Sequence, residues 1–146
     1  MYEAELRDLL SENIQILEKG LTLLNKEQYI PNHLGTRGFI DLYARDAQGH
    51  HVLIELKRSE AASREALHEI HKYIEGVKSH FGARDQEIRV IVASTEWREL
   101  LVPFSQFVAK TDINILGLEL EINESKEIKA TIPALVDFQQ GRYIAP

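Results

Sequence analysis

The sequence predicts an α/β domain, and three observations carry that prediction. Residues 2–19 and 61–82 repeat apolar side chains at three- and four-residue steps, the period of amphipathic helices. Phe39–Arg45 and His51–Arg58 alternate in character on either side of Asp46-Ala47-Gln48-Gly49-His50, as the arms of a β-hairpin would. Ile88–Ser94 is β-branched and mostly apolar, the mark of a central strand buried on both faces. A chain of 146 residues, 44% hydrophobic and 27% charged, has room for one sheet with its helices and not for two full domains.

Along the chain, Leu6, Leu9, Leu10, Asn13, Ile14 and Leu17 line one face of the first helix, with Gly20 placed to stop it. Leu21–Ile30 reads as a strand ended by Pro31-Asn32, and residues 31–38 as a loop holding Pro31, Gly35 and Gly38. In the first hairpin arm Ile40, Leu42 and Ala44 share one face, and Phe39, Asp41 and Tyr43 the other. In the second arm Val52, Ile54 and Leu56 share one face, and Leu53, Glu55 and Lys57 the other. The long helix carries Ala62, Ala66, Ile70, Tyr73, Ile74, Val77 and Phe81 as a stripe, and Gly82 can end it. Thr95 can cap a helix from about Glu96 to Lys110, broken or kinked at Pro103. Ile113–Ile122 and Glu127–Ile132 form a last strand pair around Asn123-Glu124-Ser125. The expected core spans residues 5–111, with a C-terminal strand extension over 112–146.

Seventeen Lys and Arg against 23 Asp and Glu give a formal charge of −6, which argues against coating nucleic acid by bulk electrostatics. The acid is unevenly spread. Residues 37–98 carry ten acids, ten bases and five of the six histidines, so the excess lies at the two ends. That pattern is either a fluctuation on a solvated surface or a middle that faces an anion. The absence of cysteine excludes disulfides, thiolate zinc sites and cysteine nucleophiles. The amino end lacks the basic and apolar regions of a signal peptide, and no apolar run is long enough to cross a bilayer. The expectation is a soluble, cytoplasmic domain with no membrane partner.

The hairpin holds the chemistry. Centred on Gln48, it sets Asp41 opposite Glu55 and Tyr43 opposite Leu53, and Lys57 projects from the same face as Glu55. One reading is a cross-strand salt bridge on a solvated face, worth about 0.2–1 kcal/mol. The other follows from the apolar flanks, Phe39–Leu42 and Val52–Leu56, which suit interior strands. Converging carboxylates there need a partner, and a hard cation such as magnesium takes one or two of them and leaves room for water and phosphate.

Gly38-Phe39-Ile40-Asp41-Leu42, then Asp46 and Gly49, then Val52-Leu53-Ile54-Glu55-Leu56-Lys57-Arg58 resembles the PD-(D/E)XK nuclease superfamily, most closely the catalytic domain of NucS-type, mismatch-specific endonucleases. Glu12-Asn13-Ile14 and Leu17–Leu21 look like that family's opening helix and first strand, and Ala61–Tyr73 like its next helix, so residues 5–98 take part. The resemblance implies a restriction-endonuclease-like core, a central mixed sheet flanked by helices. It also implies Asp41 and Glu55 as ligands of Mg²⁺ or Mn²⁺, helped by the backbone carbonyl of Leu56, with Glu12 as a further ligand or water holder. Lys57 would handle the attacking water and stabilise charge on the phosphate; a compact, mobile cation suits that work. Glu69 and Tyr73 stand where relatives carry Gln-x-x-x-Tyr, the glutamate being a departure from the pattern; Ile40 replaces the superfamily's proline. Arg37, Arg58, Arg64 and Lys72 surround the site in sequence and are candidate phosphate contacts.

His68 with His71, and His50 with His51, lack a third ligand at zinc spacing and read as solvated or DNA-facing side chains. Trp97 reads as packing, with stacking as the alternative. The expected function is a metal-dependent DNA endonuclease or its catalytic domain, and the alternative is a catalytically inactive module on the same fold for nucleic-acid binding or assembly. A defence or effector nuclease within a larger polypeptide is a third reading. DNA is expected to bind weakly to this chain alone, with a homodimer and an additional DNA-binding domain or partner supplying the rest.

Overall fold

The structure, a computed structural model, describes residues 3–31, 37–57, 74–98, 100–133, 135–137 and 142–144. Helix α1 spans Glu3–Glu12. Strands β1 (Thr22–Pro31), β2 (Arg37–Arg45) and β3 (His51–Lys57) follow. Helical residues 74–81 are α2, then come β4 (Ile88–Ser94), α3 (Leu101–Ala109), β5 (Asn114–Ile122) and β6 (Ile128–Thr131). The six strands lie side by side in chain order. β1, β2 and β3 are antiparallel neighbours, β3, β4 and β5 are parallel, and β6 returns antiparallel, so the sheet is mixed. The strands expected as an extension after residue 111 are thus the fifth and sixth strands of the same sheet. Two three-residue strands, β7 (Leu135–Asp137) and β8 (Arg142–Ile144), form a separate ladder that the sequence pattern did not announce.

Both sheet faces are covered. Leu6 and Leu10 of α1, with Ile14, Leu17 and Leu21, pack on Leu42, Val52, Ile54, Leu56, Ile91 and Ala93. Ile74 and Val77 of α2, with Trp97, Leu100 and Phe104, pack on Tyr43, Leu53, Val90 and Val92. β4 therefore gives alternate residues to two cores, as its unbroken apolar run requires.

Three expectations need correction. The first helix stops at Glu12 and not at residue 19: Asn13 leaves the helical region at φ −146°, and Ile14–Ile16 form a 3₁₀ turn. Asparagine competes for local backbone hydrogen bonds, and a 3₁₀ turn also stacks residues three apart, so the spacing of Ile14 and Leu17 fits either geometry. The helix expected from Glu96 begins at Leu101, which places Pro103 in its first turn. There a missing N–H leaves no bond unmade, so no kink arises. Ile40 joins the core of Tyr43 and Leu53, not that of Leu42 and Ala44. The alternation of β2 slips at Asp41.

Candidate active site where β2 leaves β3

β2 and β3 pair through Leu42↔Ile54, Tyr43↔Leu53, Ala44↔Val52 and Arg45↔His51, the register centred on Gln48. The turn is fixed by Asp46, whose Oδ1 accepts the N–H groups of Gln48 at 3.0 Å and His50 at 2.8 Å, and by Gly49 at φ +86°. The ladder ends at Leu42. At the next residue, Asp41, the side chain takes over: its Oδ2 accepts the Leu56 N–H at 2.8 Å. In an extended strand the N–H and C=O of one residue leave by the same edge, so the Leu56 carbonyl faces the gap beside Asp41. The Lys57 carbonyl leaves by the other edge and accepts the Thr95 N–H at 3.3 Å.

Glu55 and Lys57 project from the Leu53 face of β3, at the carboxyl end of the parallel strands, where open α/β sheets bind ligands. Glu55 is 2% exposed, which removes the solvated-face salt bridge as an account of it. The Lys57 Nζ lies 4.0 Å from Glu55 Oε2. Burial pushes the Asp41 carboxyl above its ordinary pKa, against the lowering influence of the Leu56 N–H and the Lys57 charge. Smaller influences come from Glu3, which raises it, and Arg7, which lowers it. Those two are four apart on α1 and share a helix face.

Residues 2–131 match the family model described as the endonuclease NucS C-terminal domain. The chain belongs to this family. It is 32% identical over 100 residues to endonuclease NucS of Thermococcus kodakarensis, covering 68% of this chain and 37% of that protein. To endonuclease NucS of Streptomyces griseus it is 43% identical over 56 residues, covering 38% of this chain and 23% of that one. Among solved structures, an EndoMS–dsDNA complex superposes with a TM-score of 0.56 at 24% identity, over 80% of this chain and 44% of that one. A repair endonuclease from Pyrococcus abyssi gives 0.54 at 23% identity, over 82% and 47%. These superpositions show a shared fold. The chain spans well under half the length of the NucS relatives it matches.

Within this NucS-family domain the expected residues fall into three groups. Asp41, Glu55, the Leu56 carbonyl edge and Lys57 come together. Glu12 is the exposed last residue of α1, about 13 Å along the helix axis from Glu3. The α1 acid whose charge reaches Asp41 is Glu3, and the signal for it in the sequence was its i, i+4 spacing from Arg7 in the first turns. Arg58, Arg64, Glu69, Lys72 and Tyr73, with His68 and His71, lie outside the described residues, and Arg37 is described only as part of the β2 backbone. Among the described residues no group of three or more His, Cys, Asp or Glu side chains gathers as a metal site. The donors at hand are two carboxylates and a carbonyl edge.

His50, His51 and Trp97 serve the scaffold. His50 Nδ1 pairs with Asp46 Oδ2 at 2.7 Å, and His51 Nδ1 with the Tyr43 hydroxyl at 2.6 Å. Arg89 joins that end of the sheet, 2.7 Å from both carboxylate oxygens of Glu18 and 3.1 Å from Asp46 Oδ2. The Trp97 ring donates its N–H to the Leu118 carbonyl at 2.8 Å and meets Phe104 edge-on.

Proposed function

We propose that this NucS-family domain hydrolyses phosphodiester bonds in DNA with a divalent metal, Mg²⁺ or Mn²⁺, and that Asp41, Glu55 and Lys57 do the work. The observation that supports this most is the buried pairing of Glu55 with Lys57 beside the point where Asp41 bonds Leu56. A desolvated carboxylate is retained where it has a charge to meet.

The donor set fits a hard cation. Magnesium is content with one or two carboxylates, and water and substrate oxygens complete its shell. Asp41 and Glu55 would hold it, with the Leu56 carbonyl at the same gap. When bound, the ion would acidify its water and offset charge on the phosphate. The chain's own part is positional and electrostatic. The Leu56 N–H fixes the Asp41 carboxylate in one orientation. Lys57 donates to the attacking water and balances the charge that grows on the phosphate oxygens, while Glu55 holds its ammonium in place.

DNA as substrate is supported by the structural likeness to EndoMS, which was solved with double-stranded DNA. With a formal charge of −6, this chain alone is expected to hold DNA weakly; a second copy or a further domain adds affinity. The test is incubation with single-stranded, mismatched and supercoiled DNA in Mg²⁺ or Mn²⁺. Cutting by the wild type, lost in Asp41→Ala and Lys57→Ala, is the expected result; equal behaviour of all three overturns the reading. An inactive module would leave every substrate intact and give no Mn²⁺ binding heat that depends on Asp41.

A further inference from the structure

Arg7 stands on α1 against the strands that build the site, and no part of the hydrolysis above uses it. Its Nη1 lies 2.9 Å from Glu27 Oε1, with 17% of the arginine side chain and 60% of the glutamate side chain exposed. The position of Glu27 is unusual. Lys26 pairs with Leu42 and Gln28 with Ile40, so Glu27 falls level with Asp41 across the β1–β2 ladder. Its φ is nevertheless +50°, a left-handed conformation that a side-chain-bearing residue seldom adopts inside a strand. The strand takes this strained torsion where it presents its carboxylate to Arg7, one strand away from Asp41.

The guanidinium is also incompletely used. The Nε of Arg7 is buried without a hydrogen-bond partner, and the nearest oxygen of Asp8 stands 4.0 Å away. Buried donors in native proteins are nearly always satisfied, so one left open next to a reactive site calls for an explanation. Its charge is felt at the Asp41 carboxyl. A planar fork of N–H donors matches phosphate oxygens two at a time, a geometry that one oxygen of a mostly exposed glutamate does not fill.

We propose that Arg7 is a phosphate-binding residue of this site, held by Glu27 until DNA arrives and then transferred to a phosphate of the strand lying at Asp41 and Glu55. The proposal rests on the nuclease reading above. Glu27 is then a rival anion, and removing it has the opposite effect on binding from removing Arg7. A structural ion pair predicts that the two substitutions act alike.

The experiment measures binding of a fluorescent single-stranded oligonucleotide to the chain at several salt concentrations. Ca²⁺ replaces Mg²⁺ to slow turnover, and each variant is also melted. Arg7→Gln is expected to weaken binding about tenfold or more and to flatten the salt dependence by about 0.7 in log–log slope, one phosphate contact on a single strand. Glu27→Gln is expected to tighten binding with the slope kept. Arg7→Lys, which retains the charge if Arg7→Gln folds poorly, is expected to keep the slope and lose part of the affinity. Wild-type affinity and slope in Arg7→Gln, or a Glu27→Gln that weakens binding as Arg7→Gln does, overturns the proposal while cleavage by the wild type stands. A wild-type chain that neither binds nor cuts overturns the nuclease reading and this proposal with it.

Discussion

The Asp41 carboxylate and the Leu56 main-chain N–H are joined at 2.8 Å across the gap where β2 parts from β3. A side chain thus completes a sheet that the backbone leaves open, and it draws one carboxylate to the edge of the strand that carries Glu55 and Lys57. Without that bond Asp41 would be a half-buried acid with no fixed direction.

Its burial has a measurable consequence. Because burial raises the Asp41 pKa, this group favours the folded state below its ordinary pKa and ceases to do so as pH rises through the raised value. Asp41→Asn keeps an oxygen for the Leu56 N–H and removes the charge. At neutral pH it is expected to melt a few degrees higher, about 2–4 °C per kcal/mol, and to lose cleavage. The gain in melting temperature should shrink towards pH 4. A variant less stable than wild type at neutral pH contradicts this account of Asp41.

Lys57 is expected to matter for rate beyond what it does for folding. It stands at the end of β3 with 16% of its side chain exposed, beside the buried Glu55, so Lys57→Met takes a cation from that carboxylate and is expected to lower the melting temperature. Single-turnover kinetics at a temperature where the variant is folded should show a loss of about 10²–10⁴-fold in rate per folded molecule. Lys57→Arg should not restore the rate, since a planar guanidinium does not reproduce a compact ammonium.

The far end of the sheet separates stability from chemistry. Burial raises the Asp46 pKa, but the hydrogen bonds from the His50 N–H, the His50 ring and Arg89 more than offset it and bring the value to about 2. A carboxyl depressed in the folded state stabilises above its ordinary pKa of 3.8, and this contribution is lost as pH falls through about 2. Asp46→Asn is expected to cost about 1–3 kcal/mol at pH 7 by urea unfolding. The difference from wild type should close between pH 4 and pH 2, with the cleavage rate per folded molecule unaltered at neutral pH.

Gly117 is fixed by the ring above it. A Cβ there would stand 2.5 Å from Cη2 of Trp97 and 3.0 Å from Phe104 Cε1. Gly117→Ala must displace a buried indole that also bonds the Leu118 carbonyl, and a loss of about 1–3 kcal/mol is expected in thermal or urea unfolding. Wild-type stability in this variant would mean that Trp97 is not packed as described.

What the sequence made legible was local and periodic. The hairpin register followed from Asp46, Gly49 and the alternation around them, and with it the neighbourhood of Asp41, Glu55 and Lys57. β4 was legible because a strand buried on both faces has no polar phase. The rest depended on relations that periodicity does not encode. Ile14 and Leu17 sit three apart in both an α-helix and a 3₁₀ turn, so Asn13 decided the helix end. Pro103 disrupts a helix interior but not its first turn, and spacing alone does not locate that turn. Glu3 and Arg7 reach Asp41 only because α1 lies across the sheet, and Arg89 finds Glu18 from 71 residues away. Such pairings are properties of the packed chain.

The most direct test of the central claim is the rate at which the chain cuts supercoiled DNA in Mg²⁺, measured side by side for the wild type, Asp41→Asn and Lys57→Met. All three samples should first be shown to be folded by their melting curves. A metal-dependent wild-type rate that falls by about 10²-fold or more in both folded variants is the predicted result. A wild type with no activity, or one matched by either variant, would contradict the assignment of these residues as a working nuclease site.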